Sequence, residues 1–467
     1  MLHYTLKRIL LAIPTFVGIS LVVFFISINT PGDPIQMIIG ERTFDLENDV
    51  SRANIETKIS EVRTYFHLDL PPFYFTITDQ TQSDTLHRIP DHQMKKHLSK
   101  LAFENGNWKN VNEYHKSINR LTSEAYADQT SSKNKVLHLI EELKKQQTTE
   151  ELMHLLASFK LVSSNENLIF AYKILEYSIL QLNAHTDISA RYVPQFIWNG
   201  AENQYRYWMA DFFSGDFGTS YKDRKPVGHK IGTALKWTVL ISILSIILSY
   251  SIGIPLGVYS AKHQNSPMER LLSTFLFSIH SIPSFWLASL LIIFFASYEY
   301  FPIFPSYGLG DWNENSSGLV SFLDLIYHLF LPIVCWSYSS IAYISEQTKR
   351  SMLNELSADY IRTGRAKGLT ENQLYWKHAL KNASFPLITQ IGNLFPALIS
   401  GSFIIEYIFA IPGVGKLLLD SIALRDYPVV FSILMISAVL ILIGTLISDL
   451  LYLKMDQRVS YSKQWAS

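Results

Sequence analysis

Six stretches of this chain stay apolar for about 20 residues, the length an α-helix needs to cross the hydrocarbon core of a bilayer. They lie near residues 9–28, 234–259, 272–297, 326–346, 386–407 and 429–452. None has Lys or Arg through its middle, whereas the flanks do. Six such runs point to an all-α polytopic membrane protein with six transmembrane helices. The composition agrees: of 467 residues, 48% are hydrophobic and 17% charged, more apolar than a soluble domain of that size. The first run, "ILLAIPTFVGISLVVFFISIN", follows Lys7 and Arg8. It is too long for the core of a secretory signal and no small-x-small cleavage site follows it, so a retained anchor is expected. Lys plus Arg and Asp plus Glu balance at 40 each, so the whole chain carries no nucleic-acid footprint. Cys335, the single cysteine, has no partner for an intrachain disulfide.

Orientation follows from short loops, because Lys and Arg are retained on the cytoplasmic side. The loop 298–325 has Glu299, Asp311, Glu314 and Asp324 with no Lys or Arg, which places it outside. The basic segments 260–271, 348–385 and 453–467 then lie inside, with both termini cytoplasmic. The loop 408–428, with Lys416 and Arg425 against Asp420 and Asp426, is neutral on the question. The expected organisation is a first transmembrane helix at 1–30, an external region at 31–233, a five-helix transmembrane core at 234–453 and a cytoplasmic tail at 454–467.

The segment "ADYIRTGRAKGLTENQLYWKHALKNASFP", 358–386, is basic and ordered in pattern, yet sits between two apolar runs. Met352, Leu353, Leu356, Tyr360, Ile361 and Gly364 recur at spacings of three and four and predict one amphipathic helix. Arg365 and Lys367 suit its last turn, and Gly368 suits a left-handed C-terminal cap. Thr370 with Gln373 is a capping box that starts a second helix, and Pro386 opens the fifth run. Two short helices fastened at both ends to spans make a lever. The same pattern also suits a segment lying on lipid headgroups; a DNA-binding helix-turn-helix fits poorly, because both ends are pinned at the bilayer.

Polar groups inside the runs are the candidates for a pathway. Pro283 interrupts the third run and predicts a bend in mid-helix. The fifth gathers Gln390, Gly392, Asn393, Pro396 and Gly401, and Gln and Asn in a span seek protein or water rather than lipid. Gln390 and Asn393 either face a central path or bridge neighbouring helices. Glu406, near the outer end of the same run, either lines the mouth of that path or pairs with Lys416 or Arg425. "PGVGKLL" lacks the spacing of a phosphate loop, and no Cys/His cluster has metal-ligand spacing. No nucleophile, base and orienting acid stand out, so neither a catalytic residue nor a cofactor is expected. In the external region, Leu137, Ile140 and Leu143, then Leu152, Leu155 and Leu156, fall at helical spacing and predict a small helical domain.

"ADYIRTGRAKGL" followed by "HALKNASFPLI" resembles the cytoplasmic loop of dipeptide and oligopeptide permeases, the membrane subunits of ATP-binding-cassette importers. "PGDPIQMIIG", "FFSGDFGTSY", "IGIPLGVYSA", "SIPSFWLASLLIIFF", "EYIFAIPGVGKLLLDSIALRDYPVV" and "LISDLLYLKMDQRV" resemble further segments of that family in order, so that the likeness covers 1–75 and about 203–460. The resemblance implies the type I importer fold, with a path for peptides delivered by an external substrate-binding protein. It implies a second permease subunit, two ATPase subunits and a place in the bacterial cytoplasmic membrane. It also implies that a coupling helix, Asp359, Tyr360, Arg362, Thr363, Gly364, Arg365, Ala366, Lys367, Gly368 and Leu369, docks on an ATPase. Gly364 departs from the family, which has Ala there. Residues 76–202 have no counterpart, and are read as an insertion that serves as a docking surface, a cap over the outer mouth or an ornament.

Relatives with near-identical motifs carry nickel, glutathione or glycosides, so the cargo stays open at this point. A secondary transporter is the rival of another class, but it calls for acids near the bilayer midplane, and the central thirds of these runs have none. A membrane-anchored receptor or scaffold would not need the paired cytoplasmic helices.

Overall fold

The computed structural model describes residues 2–30, 61–81, 86, 89, 92–128, 132–159, 161, 165–184, 186–310, 318–388, 390 and 403–455. The chain divides into two compact units, 28–215 and the remainder, 1–27 with 216–467. Helix α1 (Leu2–Asn29) leads in. Its side chains Leu10, Val22 and Phe25 are exposed, which suits a helix whose surroundings are lipid.

Within the unit 28–215, β1 (Phe75–Asp79) and β2 (Pro194–Trp198) form a two-stranded antiparallel ribbon, with Phe75 opposite Trp198 and Asp79 opposite Pro194. This ribbon is the departure from an all-helical expectation. Between the strands run α2 (His92–Asn105), α3 (Trp108–Ala127), α4 (Ser132–Lys145), α5 (Thr149–Ser158) and α6 (Glu166–Ala184). They close on a core that includes Leu98, Tyr114, Leu121, Leu175 and Ile179. Ile140, Leu143, Leu152 and Leu156 are buried in it, while Leu137 and Leu155 pack at its edge.

Local chemistry fixes the joints of this bundle. Thr148 and Glu151 form a reciprocal capping box at the start of α5. Between α2 and α3, Gly106 has φ +76°, and a Cβ there would lie 1.7 Å from the Asp187 carbonyl oxygen, so no side chain fits. His97 is buried at the meeting point of three elements, its Nδ1–H donating to the Gln146 carbonyl (2.8 Å) while Nε2 accepts from the Tyr114 hydroxyl (3.2 Å). Beyond β2, α7 (Gln204–Ser214) is capped by Asn203 and ends at Gly215.

The second unit is built on two helices longer than the apolar runs that seed them, α8 (Val227–Lys262, 36 residues) and α11 (Leu319–Leu356, 38 residues). Ser242, Ser245, Ser249, Gly253, Gly257 and Ser260 make a buried stripe of small residues along α8. Such a stripe lets two helix backbones approach closely. A Cβ on Gly253 would lie 2.9 Å from Ile344 Cβ, and one on Gly257 would lie 2.5 Å from both the Ser345 carbonyl oxygen and Thr348 Cβ.

The third run is not the single helix that its length suggests. It is two helices, α9 (Pro267–His280) and α10 (Ser284–Phe295), bent by 98° across the break between them. Pro283 is therefore not in mid-helix but is the N-cap of α10. The ring forces the preceding residue away from helical geometry and offers no N–H to the turn before, and the Tyr338 hydroxyl takes up the freed Ile282 carbonyl. Further along come α12 (Asp359–Ala366), α13 (Phe403–Ile408), α14 (Val414–Ala423) and α15 (Tyr427–Met455). Among the described residues four helices are long and apolar enough to cross a membrane, or five with the bent pair as one. The run 386–407 lies mostly outside the described residues.

Candidate functional site

The apolar spacing across 352–364 reads as one helix, and here the structure differs. Helix α11 stops at Leu356: the Ser357 hydroxyl bonds back to the Asn354 carbonyl (2.7 Å) and Ala358 is extended, so that α12 starts afresh at Asp359. The spacing survives the break because both pieces face one core. Ile361 from α12, Met352 from α11, Val258 and Ala261 from α8, and Leu374, Ala379 and Ala383 from the following segment are all buried there. Thus a short helix that follows α11 is locked to the C-terminal ends of the two longest helices.

The rest of the segment follows its local sequence. Gly368 has φ +82°, and the Leu369 N–H reaches the Gly364 carbonyl (3.2 Å), closing α12. The Thr370 N–H donates to Gln373 Oε1 (3.1 Å) and the Gln373 N–H to Thr370 Oγ1 (3.4 Å), the capping box that the sequence marks. A π-helical stretch, Gln373–Ala379, follows. Arg365 pairs with Glu371 (2.9 Å) across the turn, and the Tyr360 hydroxyl donates to Glu355 (2.6 Å). Burial first, and then the Glu355 carboxylate, push that phenol up.

Asp359, Tyr360, Arg362, Thr363, Arg365, Ala366, Lys367 and Gly368 are exposed, and Leu369 is half-buried. Gly364 is buried instead: a Cβ there would lie 2.9 Å from Leu374 Cδ2 and 3.3 Å from Leu369 Cδ1. Its glycine admits Leu374 to the core, and the residue presents no side chain outward. The exposed face is therefore basic, with Arg362, Arg365 and Lys367 outnumbering Asp359 and the neighbouring Glu371.

The residues read as a path are dispersed. Gln390 donates through Nε2 to the Tyr343 hydroxyl (2.7 Å) on α11 and is half-buried. Asn393 lies outside the described residues, with Gly392, Pro396 and Gly401. Glu406 is fully enclosed, so its carboxylate lines no mouth, and it pairs with neither the Lys416 ammonium nor Arg425. Oε1 accepts from Thr238 Oγ1 (2.8 Å) on α8, and Oε2 accepts from the backbone N–H groups of Gly415 (2.7 Å) and Lys416 (3.3 Å) at the start of α14. These bonds satisfy first-turn N–H groups of α14 that have no partner within the helix. Gly413 and Gly415 leave the room, since a Cβ on either would meet Glu406 Oε2 at 2.3 or 2.9 Å.

Two further polar clusters escape sequence reasoning because their members are far apart in the chain. Asp426 is buried and accepts from the Ser220 hydroxyl and the Tyr221 N–H (2.8 Å), with Lys230 Nζ 3.6 Å away. Glu269, at the start of α9, is buried against Lys349 Nζ (2.6 Å) of α11. Its one local sign is Ser266, three residues earlier, whose Oγ accepts from the Glu269 N–H (3.1 Å). A cavity of about 520 Å³ opens between α9 and α11, with Ser273, His280, Tyr343 and Lys349 among its lining. Among the described residues no group of His, Cys, Asp and Glu is placed to hold a metal ion.

Long apolar helices, close small-residue packing and a polar helix fixed beneath two of them define a polytopic helical membrane protein. A family model described as "Binding-protein-dependent transport system inner membrane component" matches residues 253–461. The chain is 39% identical over 269 residues to an oligopeptide transport system permease protein of Bacillus subtilis, a match covering 57% of this chain and 81% of the relative. It is 35% identical over 271 residues to a dipeptide transport system permease protein of Alkalihalophilus pseudofirmus, covering 55% and 81%. A dipeptide transport system permease protein of Escherichia coli is 31% identical over 277 residues, covering 56% and 81%. The chain belongs to the family of binding-protein-dependent transport system inner membrane components.

Proposed function

We propose that this chain is the membrane-spanning permease subunit of an ATP-driven importer of di- or oligopeptides. The observation that carries the reading is α12: a short helix with a basic outer face, its inner face locked through Ile361 and Gly364 to the ends of α8 and α11. A push on such a helix reaches both long helices. The relatives named for peptide transport supply the cargo class. ATP is hydrolysed on two separate ATPase subunits, and the residues from Asp359 to Leu369, with Ile361 and Gly364 excepted as inner-face residues, form the contact with one of them. Peptide arrives from an external binding protein and passes between this chain and a second permease subunit. Pro283, at the bend, and Gln390 with Asn393 border that path, and residues 76–202 stand on the outer face with both termini cytoplasmic.

The coupling cycle is a bistable change biased by a ligand: ATP binds one arrangement of the ATPases better than the other, and the coupling helices pass the difference to the spans. Cysteine at Thr363 or Ala366, both exposed, is expected to crosslink to the ATPase in the assembled complex. Reconstituted with its partners, the complex is expected to accumulate labelled peptide and not nickel, glutathione or a glycoside. Assembly without a crosslink at either position removes the docking assignment, and accumulation of another cargo in place of peptide removes the peptide reading.

A further inference from the structure

The Glu269–Lys349 pair ties the bent segment to the helix that ends at the coupling core. Glu269 is 4% exposed, and its Oε1 accepts from Lys349 Nζ at 2.6 Å and from Ser273 Oγ at 2.7 Å. Lys349 Nζ also lies 3.4 Å from Ser273 Oγ. On α11, Lys349 follows Thr348, which seats against Gly257 of α8, and precedes by three residues Met352, which shares its core with Ile361 of the coupling helix. On α9, Met268, Leu271, Phe275 and Phe277 are exposed, and the helix packs chiefly on α11 among the described elements. Its remaining polar ties lie toward the break, where Ser339 Oγ donates to His280 Nδ1 (2.8 Å) and the Tyr338 hydroxyl holds the Ile282 carbonyl.

We infer that Glu269 and Lys349 are positioning residues: they form the strut through which displacement of the coupling helix moves α9 and, across the break at Pro283, α10. Apolar contacts between helices in lipid allow one to slide on the other, whereas a charge pair with directional hydrogen bonds on an enclosed carboxylate resists separation. The strut lies at the inner end of α9 and the break at its other end, so α9 swings as one lever. The cavity between α9 and α11, which Lys349 and Ser273 both line, changes width as it swings. This inference rests on the docking of α12 on an ATPase.

The test is the double variant Glu269→Gln/Lys349→Met, which removes both charges and leaves neither stranded in the core, alongside Lys349→Arg, which keeps the pair. In proteoliposomes holding the whole complex with its binding protein, the double variant is expected to assemble and hydrolyse ATP as the unaltered complex does. Peptide moved per ATP is expected to fall roughly fivefold or more, and to be kept by Lys349→Arg. An unaltered ratio in the double variant overturns the strut. Assembly lost in the double variant also overturns it, because the pair is then a brace for folding. A second readout needs no peptide: the distance between spin labels at Met268 on α9 and Ile247 on α8, before and after trapping with ATP and vanadate. It is expected to change in the unaltered complex and to stay fixed in the double variant. A constant distance in both refutes the strut, whereas a changing distance without peptide uptake faults the choice of cargo alone.

Discussion

The contact between α8 and α11 at Gly257 sets up a matched pair of substitutions whose difference isolates one force. Replacing Gly257 with Ala places a Cβ 2.5 Å from the Ser345 carbonyl oxygen and 2.5 Å from Thr348 Cβ. Ordinary contact starts near 3.4 Å. One obstacle is backbone and the other a Cβ, and neither turns aside as a flexible side-chain tip would, so the helices must part by about 1 Å. Overpacking of that kind costs about 1–3 kcal/mol. Gly→Ala in a helix also gains about 1 kcal/mol of propensity. Gly232→Ala, on the same helix with nothing within 4 Å of its new Cβ, receives that gain without the clash. The two variants should therefore differ by about 1–3 kcal/mol. Thermal unfolding in one detergent, followed by tryptophan fluorescence, should place Gly232→Ala at or above the unaltered protein and Gly257→Ala below it. Equal melting of the two variants would refute the close-packing argument.

Glu406→Ala strands Thr238 and the first N–H groups of α14 in a closed space and should cost about 3 kcal/mol, whereas Glu406→Gln keeps the shape and should cost less; the amount of monodisperse protein after detergent extraction tests the order. Burial holds the His97 imidazole down to about 4, against an ordinary value of 6.5. The unfolded chain thus takes up its proton first, and stability should be full above pH 6.5 and fall by about 3 kcal/mol as pH drops toward 4. Protease resistance of the 92–184 helices across that range should show the loss, and His97→Gln should flatten it; an equally steep curve in the variant would count against this histidine. Gly364→Ala, which meets only the mobile methyl ends of Leu374 and Leu369, should change melting by no more than about 1 kcal/mol, and a loss of folded protein would contradict that placement.

What was legible in the sequence was what local chemistry decides. Among the described residues four of the apolar runs became long helices, and Thr370 with Gln373 became a capping box, because both sides of that exchange lie within one turn. Pro283 announced a disturbance but not its size, since a proline in a span is compatible with a kink or with a full break, and the Tyr338 hydroxyl that receives the freed carbonyl stands 56 residues away. The stop at Ser357 was hidden because Met352, Leu356 and Ile361 serve one core on either side of it. For Glu406 the nearby Lys416 and Arg425 looked like natural partners, yet a backbone N-terminus and a hydroxyl 168 residues away satisfy it. The ribbon strands "FTITD" and "PQFIW" are each too short to read alone, and among the described residues each is paired only by the other.

That ribbon decides how the segment between its strands relates to the rest of the chain. Asp79 and Pro194 are partners across adjacent strands, so the chain departs and comes back through points about 5 Å apart. A detour whose two ends touch adds almost nothing to the distance the main path must cover, and the flanking chain meets the same endpoints whether the detour is long or is cut to a hairpin turn. In genetic terms the strands form a socket. A length of coding sequence can be changed there without displacing the two strand ends from which the flanking chain continues.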